Sequence, residues 1–362
     1  MRFARSLWIL LLLVPSTAFA ATSTEAYVPI PNEFASAVVM RPDGKVLYGF
    51  KPDQSHTAAS LSKLALAITM LDKKWNWNTV VKMSAADEVG GGRLRVAAGS
   101  RIVLADLWQS ALGSSANNAT MAMARLAGPG ISAFMKKTNA KVKAIGAGSS
   151  VFYDPAGMNP KNKTTARDMA LIARAAFSNS LVTQASQKGT YTFTLAGTSL
   201  THTIKNTNAV LLSDPDVYLK GGKTGYLPES MYNYAAELQP ITDTGIPDKK
   251  KDVIVVVLGA PSTQGGMDSA KRLAQWAWSD ESLFKISPYI VPTRSLLVGM
   301  NGDDVRWVQN LLKVTPVNGQ FGPMTLAAVR AFQVEHGVAK IGDSGYGVVG
   351  PATRAKLVEL NP

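Results

Sequence analysis

Apolar residues recur with two periods along the chain, and these periods predict both helices and strands. Residues 61–71 carry apolar side chains at helical spacing, whereas Val253 to Leu258 form a continuous, largely β-branched run that is typical of a central strand. Two further strand patterns, 34–40 and 45–50, are joined by an Asp-Gly turn and predict a hairpin.

Four more helical patterns and one alternating strand extend this prediction. The helices are predicted over 104–112, 121–126, 165–177 and 269–278, and the strand over 232–236. Helices at both ends of a set of hairpin-connected strands favour an α/β sandwich, in which helices flank an antiparallel sheet.

The last part of the chain has a separate helical pattern. Pro288 and Pro292 bracket a short linker, and an amphipathic helix is predicted over 303–312. Gly-Pro-x-Thr at 322–325 and again at 350–353 opens two more helices, because proline is favoured in a first helical turn. We therefore predict a signal peptide at 1–20, a large domain at 21–287, a linker at 288–294 and a small three-helix domain at 295–362.

The first twenty residues have the features of a secretory signal peptide. Arg2 and Arg5 precede the apolar run 7–14, and Ala18-Phe19-Ala20 provides a small-residue cleavage site. An uncleaved anchor is the alternative. No later stretch is long and apolar enough for a transmembrane segment, so we expect an exported chain that acts in the periplasm or cell wall.

Composition narrows the classes of function. The chain has no cysteine, which excludes disulfides, thiol catalysis and thiolate metal sites. Its three histidines form no HExxH motif, so neither a zinc site nor another metal or cofactor is expected. The net charge of +13, to which Arg2 and Arg5 contribute two charges, favours anionic surroundings such as a cell wall. Nucleic acid is not an expected partner of an exported chain.

The candidate chemistry begins with Ser60 and Lys63. Their spacing places both side chains on one face of a helix, with Ser60 in its first turn. A serine becomes a good nucleophile when a base removes its proton, and lysine can be that base if burial, a helix N-terminus or a second cation lowers its pKa. Taken alone, the pair also fits an ordinary helix with a solvated lysine.

Two further motifs follow at domain-scale spacing. Ser115 and Asn117 lie between two predicted helices, where an ordinary helix cap is the alternative. Lys223-Thr224-Gly225-Tyr226 is predicted to lead into the alternating strand, with Lys223 at the head of an edge strand. The joint occurrence of all three motifs is far more specific than any one of them.

The order Ser60-x-x-Lys63, Ser115-x-Asn117, Lys223-Thr224-Gly225 resembles the penicillin-binding proteins and serine β-lactamases. Over about residues 33–278 the flanking sequence is similar to the low-molecular-mass D-alanyl-D-alanine carboxypeptidases. Two of the matching segments are Asp154-Pro155-x-Gly157-Met158 and Thr165-Ala166-x-Asp168. The tail resembles a peptidoglycan-binding domain, with Asn318-Gly319-x-Phe321-Gly322 and Val349-Gly350-Pro351-x-Thr353 among the matches.

This resemblance implies a β-lactamase/transpeptidase-like fold and a serine-type D-Ala-D-Ala carboxypeptidase, which removes the terminal D-alanine from peptidoglycan stem peptides. Ser60 would attack the stem peptide, Lys63 would be its base, Ser115 would relay a proton and Asn117 would hold the substrate amide. Lys223, Thr224, Gly225 and Tyr226 would bind the substrate, whose carboxylate faces Lys223 and Thr224. Backbone N–H groups of Ser60 and Tyr226 would form the oxyanion hole, and β-lactams would be covalent inhibitors.

Two residues depart from the family pattern. Leu227 stands where threonine is usual and is expected to alter the grip on the substrate carboxylate. Asn118 stands where aspartate is usual and is expected to serve local hydrogen bonding.

A class A β-lactamase needs a glutamate between the second and third motifs, yet none occurs from Val89 to Pro228. A DD-endopeptidase would use the same residues, and a non-catalytic wall-binding protein is the third alternative.

Overall fold

A computed structural model describes residues 33–284 and 291–360 of the chain. The chain divides into two compact units between Glu281 and Ser282. The predicted signal peptide, 1–20, and residues 288–290 of the predicted linker fall outside the described residues. Within the described ranges, no helix is both long enough and apolar enough to cross a bilayer.

The helices and strands have the following bounds. The strands are β1 (Ser36–Met40), β2 (Val46–Phe50), β3 (His56–Thr57), β4 (Val80–Lys82), β5 (Arg101–Val103), β6 (Lys163–Thr164), β7 (Thr190–Thr194), β8 (Thr201–Lys205), β9 (Val217–Leu227), β10 (Met231–Pro240) and β11 (Val253–Ala260). The α-helices of the first unit are α1 (Ser62–Met70), α2 (Leu104–Gly113), α3 (Asn117–Ala127), α4 (Ile131–Ala144), α5 (Ala166–Phe177), α6 (Ser180–Gln187), α7 (Ala209–Leu212) and α8 (Thr263–Ser279). Those of the second unit are α9 (Asp303–Leu311), α10 (Pro323–Glu335) and α11 (Pro351–Leu360).

The main sheet of the first unit is antiparallel and has the strand order β2-β1-β11-β10-β9. The apolar run that begins at Val253 forms β11, the central strand, as its composition predicts. β9 lies at one edge, so the strand that carries Lys223 is an edge strand. Lys223 lies in the middle of β9, however, and not at its head.

Helices cover both faces of this sheet. Ile254, Val256 and Leu258 belong to the same apolar core cluster as α1 and α5. Because side chains alternate along a strand, the intervening residues of β11 point to the opposite face, where α8 packs. On that face, a Cβ at Gly266 of α8 would lie 3.7 Å from the Cβ of Tyr234 on β10. The predicted α/β sandwich is therefore confirmed.

Two helices begin earlier than their apolar pattern predicts. α3 begins at Asn117, because its polar first turn is buried against other parts of the fold. α8 begins at Thr263, where the Ser262 side chain accepts a hydrogen bond from the Gly265 backbone at 2.9 Å. Glycine has low helix propensity, so the Gly-Gly pair in the first turn of α8 conceals this start in the sequence.

The second unit has the three predicted helices and an internal repeat centred on two glutamines. Gln309 on α9 donates a hydrogen bond to the hydroxyl of Thr325 at 3.1 Å, and Gln333 on α10 donates one to the hydroxyl of Thr353 at 2.9 Å. Each glutamine also accepts a bond from a loop backbone N–H and donates to loop carbonyls. The threonine of each Gly-Pro-x-Thr sequence thus bonds a buried glutamine of the preceding helix, and this contact occurs twice in the unit.

Candidate active site

Ser60 lies in a 3-10 turn, Ala59–Leu61, that runs directly into α1. Ala59 has a φ of +49° and is fully buried, as is Leu61, so the core fixes the turn while Ser60 itself remains partly exposed. The side-chain amide of Asn233 on β10 holds the preceding residues by donating to the Thr57 carbonyl at 2.9 Å. Ser60 therefore comes just before the α-helix, not inside its first turn as the spacing predicts.

Lys63 is the centre of the site. Its Nζ donates to Ser60 Oγ at 2.8 Å, to Asn117 Oδ1 at 2.7 Å and to the Ala156 carbonyl at 2.5 Å. Burial lowers the pKa of Lys63 to about 7, while the charge of Asp154 acts in the opposite direction. Burial is thus the main cause of the predicted pKa shift.

Lys223 and Ser115 meet on the other side of the site. Lys223 Nζ donates to Ser115 Oγ at 2.7 Å and to the Thr224 carbonyl at 2.8 Å. Burial, together with the nearby charge of Lys63, lowers the pKa of Lys223 well below its ordinary value. The two lysines therefore disfavour each other's charged form. Thr224 in turn donates its hydroxyl to that of Thr207 at 2.8 Å.

Gly225 lets β9 lie directly against the turn that carries Ser60. A Cβ at this position would lie 3.2 Å from the Ser60 backbone nitrogen and 3.3 Å from the Ala58 carbonyl. The next residue, Tyr226, is half-exposed, and its ring lies 4.4 Å from that of Tyr232. The third motif is therefore placed beside the nucleophile by backbone packing.

The segment 154–162 supports the site, although the sequence assigned no role to its residues. The Asp154 carboxylate accepts hydrogen bonds from the backbone N–H groups of residues 156–159. Gly157 has a φ of +85°, and a Cβ there would lie only 2.0 Å from the Ala59 carbonyl oxygen. Asn162 also donates to Ser62 Oγ at 3.0 Å. The signal for this support was the Asp-Pro-x-Gly-Met motif, whose glycine is required by contact with the nucleophile turn.

Asn118, which replaces the usual aspartate, is fully buried and fully bonded. Its Nδ2 donates to Glu88 Oε1 at 2.6 Å and to the Leu94 carbonyl at 2.8 Å. Its Oδ1 accepts from the backbone N–H groups of Leu94 and Ala119. An aspartate could not donate these bonds and would place its charge against Glu88, so asparagine is the residue that fits here.

A cavity of about 390 Å³, which we call the Ser60 cavity, opens at these motifs. Its walls include Ser60, Ser115, Asn117, Thr224 and Tyr226. Leu227 also lines the cavity and places an apolar side chain where threonine is usual. Among the described residues there is no cluster of three or more histidine or acidic side chains that could hold a metal ion.

The family model of the D-alanyl-D-alanine carboxypeptidases matches residues 25–262, which include all three motifs. The chain belongs to this family. The enzyme also has a region, 301–357, that matches the peptidoglycan binding domain family. Both resemblances are thus confirmed: the chain is a serine DD-peptidase of the cell wall with a peptidoglycan-binding unit, and its partners are peptidoglycan and β-lactams.

Characterised proteins similar to this enzyme carry two activity names. It is 30% identical over 270 residues to a D-alanyl-D-alanine endopeptidase of Pseudomonas aeruginosa, a match that covers 73% of this chain and 84% of that protein. It is 28% identical over 281 residues to the D-alanyl-D-alanine carboxypeptidase DacF of Bacillus subtilis, with coverages of 75% and 69%.

The fold has matches among solved structures. A D-alanyl-D-alanine carboxypeptidase from Mycobacterium tuberculosis superposes with a TM-score of 0.60 at 26% identity, over 70% of this chain and 94% of that one. The penicillin-binding fold is therefore confirmed for the first unit.

Proposed function

We propose that the enzyme removes the terminal D-alanine from peptidoglycan stem peptides through an acyl-enzyme on Ser60. The observation that carries this proposal is the 2.8 Å hydrogen bond between Ser60 Oγ and a fully buried Lys63 whose pKa is lowered to about 7. A neutral lysine at this distance can accept the hydroxyl proton at physiological pH.

Acylation then proceeds by transfer of one proton and exchange of one acyl bond. Ser60 Oγ forms a bond to the carbonyl carbon of the penultimate D-alanine while its proton passes to Lys63. Backbone N–H groups of Ser60 and Tyr226 stabilise the oxyanion, each donor contributing about 3–4 kcal/mol in other acyl-transfer enzymes. The C–N bond breaks as Ser115 relays this proton from Lys63 to the leaving amine, and water later hydrolyses the ester.

Lys223 and Thr224 would bind the terminal carboxylate of the substrate. Arrival of this anion favours the charged form of Lys223, whose pKa is otherwise lowered by burial. A charged Lys223 in turn disfavours protonation of Lys63, so substrate binding would help to keep the base neutral. Asn117 already bonds Lys63 and faces the same cavity, from which it can hold the substrate amide.

DD-endopeptidase cleavage of crosslinks is the second candidate activity and uses the same atoms. Two observations favour it: the similarity to the Pseudomonas aeruginosa endopeptidase and the continuation of the Ser60 cavity past Ser114. For either activity, the predicted signal peptide would export the enzyme to the periplasm or cell wall.

Labelled penicillin and purified muropeptides test the proposal. Penicillin should label the intact enzyme and fail to label Ser60→Ala, because a β-lactam acylates the nucleophile. Ser213→Ala, which changes an exposed serine after α7, is the matched control and should be labelled normally. Release of D-alanine from monomeric muropeptides indicates a carboxypeptidase, and conversion of dimers to monomers indicates an endopeptidase. Labelling of Ser60→Ala would disprove the assignment of the nucleophile.

A further inference from the structure

A second cavity, of about 530 Å³, adjoins the Ser60 cavity. The two cavities share Gly91, Gly92 and Ser114 in their walls. Beyond these shared residues the second cavity is lined by Arg93 and Arg95, both of which are exposed to solvent. We call it the arginine groove.

The arginine groove has a fixed position relative to the active site. Asn117 donates a backbone bond to the Gly92 carbonyl at 2.7 Å and a side-chain bond to the Gly90 carbonyl at 2.8 Å. Asn118 bonds both the N–H and the carbonyl of Leu94, which is buried between the two arginines. Asn117, which contacts Lys63, and Asn118, the next residue of α3, therefore hold the loop that carries both arginines.

The opposite wall of the arginine groove comes from the β7–β8 hairpin. His202 and Thr203 of β8 line it. The His202 ring lies 5.6 Å from that of Phe193, and the hydroxyls of Thr192 and Thr203 are hydrogen-bonded at 2.8 Å across the hairpin. Both walls thus present groups that can donate hydrogen bonds to a peptide ligand.

The charge of the arginine groove is positive. Arg93 lies 3.8 Å from Glu88, whereas Arg95 forms no ion pair with any carboxylate in the part of the chain that the structure describes. A guanidinium that lines a cavity and has no internal partner is complementary to carboxylates, with which it can form two parallel hydrogen bonds.

The groove lies at the end of the active site where a leaving group would be. Ser114 precedes Ser115, and β8 leads to Thr207, whose hydroxyl is bonded to Thr224. In the proposed mechanism, Ser115 and Thr224 face the leaving amine and its carboxylate. The leaving group of a crosslinked substrate presents the same carboxylate there. Its side chain continues as a second stem peptide, whereas the side chain of a terminal D-alanine is only a methyl group.

We propose that the arginine groove binds the acceptor stem peptide of a crosslinked substrate, an anionic peptide on the leaving-group side of the scissile bond. This inference rests on the proposed function, through its second candidate activity of crosslink cleavage, and deepens it by assigning a binding site that distinguishes crosslink cleavage from trimming. Arg95 interacts with acceptor carboxylates other than the one beside the scissile amide.

Two synthetic crosslinked peptides test the inference on the full-length enzyme. They differ only in whether the acceptor carboxylates away from the scissile amide are free or amidated. The intact enzyme should cleave the free-carboxylate peptide with a kcat/KM about fivefold to twentyfold higher, mainly through KM, as expected for charged hydrogen bonds at a partly solvated site. Arg95→Gln should lose most of this preference, and the preference of the intact enzyme should fall as salt is raised.

Lys136→Gln is the matched control, because it removes one exposed positive charge on α4 and should keep the preference. Equal cleavage of both peptides by the intact enzyme, or an unchanged preference in Arg95→Gln, would overturn the inference. The inference would also be overturned if the enzyme cleaved neither crosslinked peptide and still released D-alanine from a small peptide. If the intact enzyme releases nothing from any peptide and takes up no penicillin, the proposed function itself is wrong.

Discussion

Lys63 owes its chemistry to its surroundings. Its ammonium has three acceptors within 2.8 Å, yet burial costs the charged form enough to lower the pKa from 10.5 to about 7. Near neutral pH, Lys63 can therefore be either a hydrogen-bond donor that orients Ser60 or a neutral base that takes its proton. Lys223 lies in the same site, where burial and then the charge of Lys63 both lower its pKa.

The acylation rate should follow the titration of Lys63. Only the neutral lysine can accept the Ser60 proton, so the rate should rise about tenfold per pH unit below about pH 7 and level off above it. The second-order rate of labelling by penicillin, measured from about pH 5.5 to pH 9 with thermal stability followed at each pH, checks this. A rate that stays constant over this range in a stably folded enzyme would contradict Lys63 as the base.

Asn118 of α3 helps to position the loop from Glu88 to Leu94. Asn118 satisfies both backbone groups of Leu94 and donates to Glu88, and its own oxygen is also bonded to Ala119. The replacement of aspartate by asparagine at this position is thus matched to a glutamate 30 residues earlier. Such pairing explains why the departure from the family pattern is compatible with an intact site.

Asn118→Asp should destabilise the first unit. The change removes two donated hydrogen bonds and sets a carboxylate against Glu88, which should lower the free energy of unfolding by about 2–3 kcal/mol. Denaturant unfolding of the full chain measures the effect. Glu88→Gln alone should be nearly neutral, because glutamine keeps the acceptor oxygen, and the double variant should recover part of the loss. Equal stability of Asn118→Asp and the intact enzyme would show that this contact does not hold the loop.

The two units have separate cores. Leu296, Val305, Phe321, Val329 and Leu357 belong to a core cluster of the second unit alone. The two buried glutamines and their loops add a polar network to this small core. A unit of about 70 residues can fold alone with modest stability.

Truncation before Pro292 should separate wall retention from chemistry. A second unit that binds peptidoglycan raises the local concentration of wall peptides around Ser60 without a new contact at the active site. The truncated enzyme should hydrolyse a small soluble D-Ala-D-Ala peptide at nearly the rate of the full chain, yet be retained less on intact sacculi and digest them more slowly. The isolated second unit, from Pro292 onward, should bind sacculi. Equal loss of activity on both substrates would mean that the tail supports the fold of the first unit.

The sequence alone identifies several of the helices and strands and the order of the chemical motifs. Periodicity is a local property, so it identified α1, the central strand β11 and the three helices of the second unit. The i, i+3 spacing placed Ser60 and Lys63 on one face, because helix geometry brings such residues together without any tertiary contact. Element starts such as Asn117 and Thr263 were missed, since polar and glycine residues there are favoured by distant contacts.

The way the site works depends on contacts between distant parts of the chain. The acceptors of Lys63 at Asn117 and Ala156 lie 54 and 93 residues away in the chain, and the degree of burial that lowers its pKa depends on the whole fold. Gly157 is a glycine because the Ala59 carbonyl lies against it, which no local pattern reveals. The arginine groove likewise exists because α3 holds the Arg93–Arg95 loop opposite β8, and contacts between segments so far apart in sequence are set by packing.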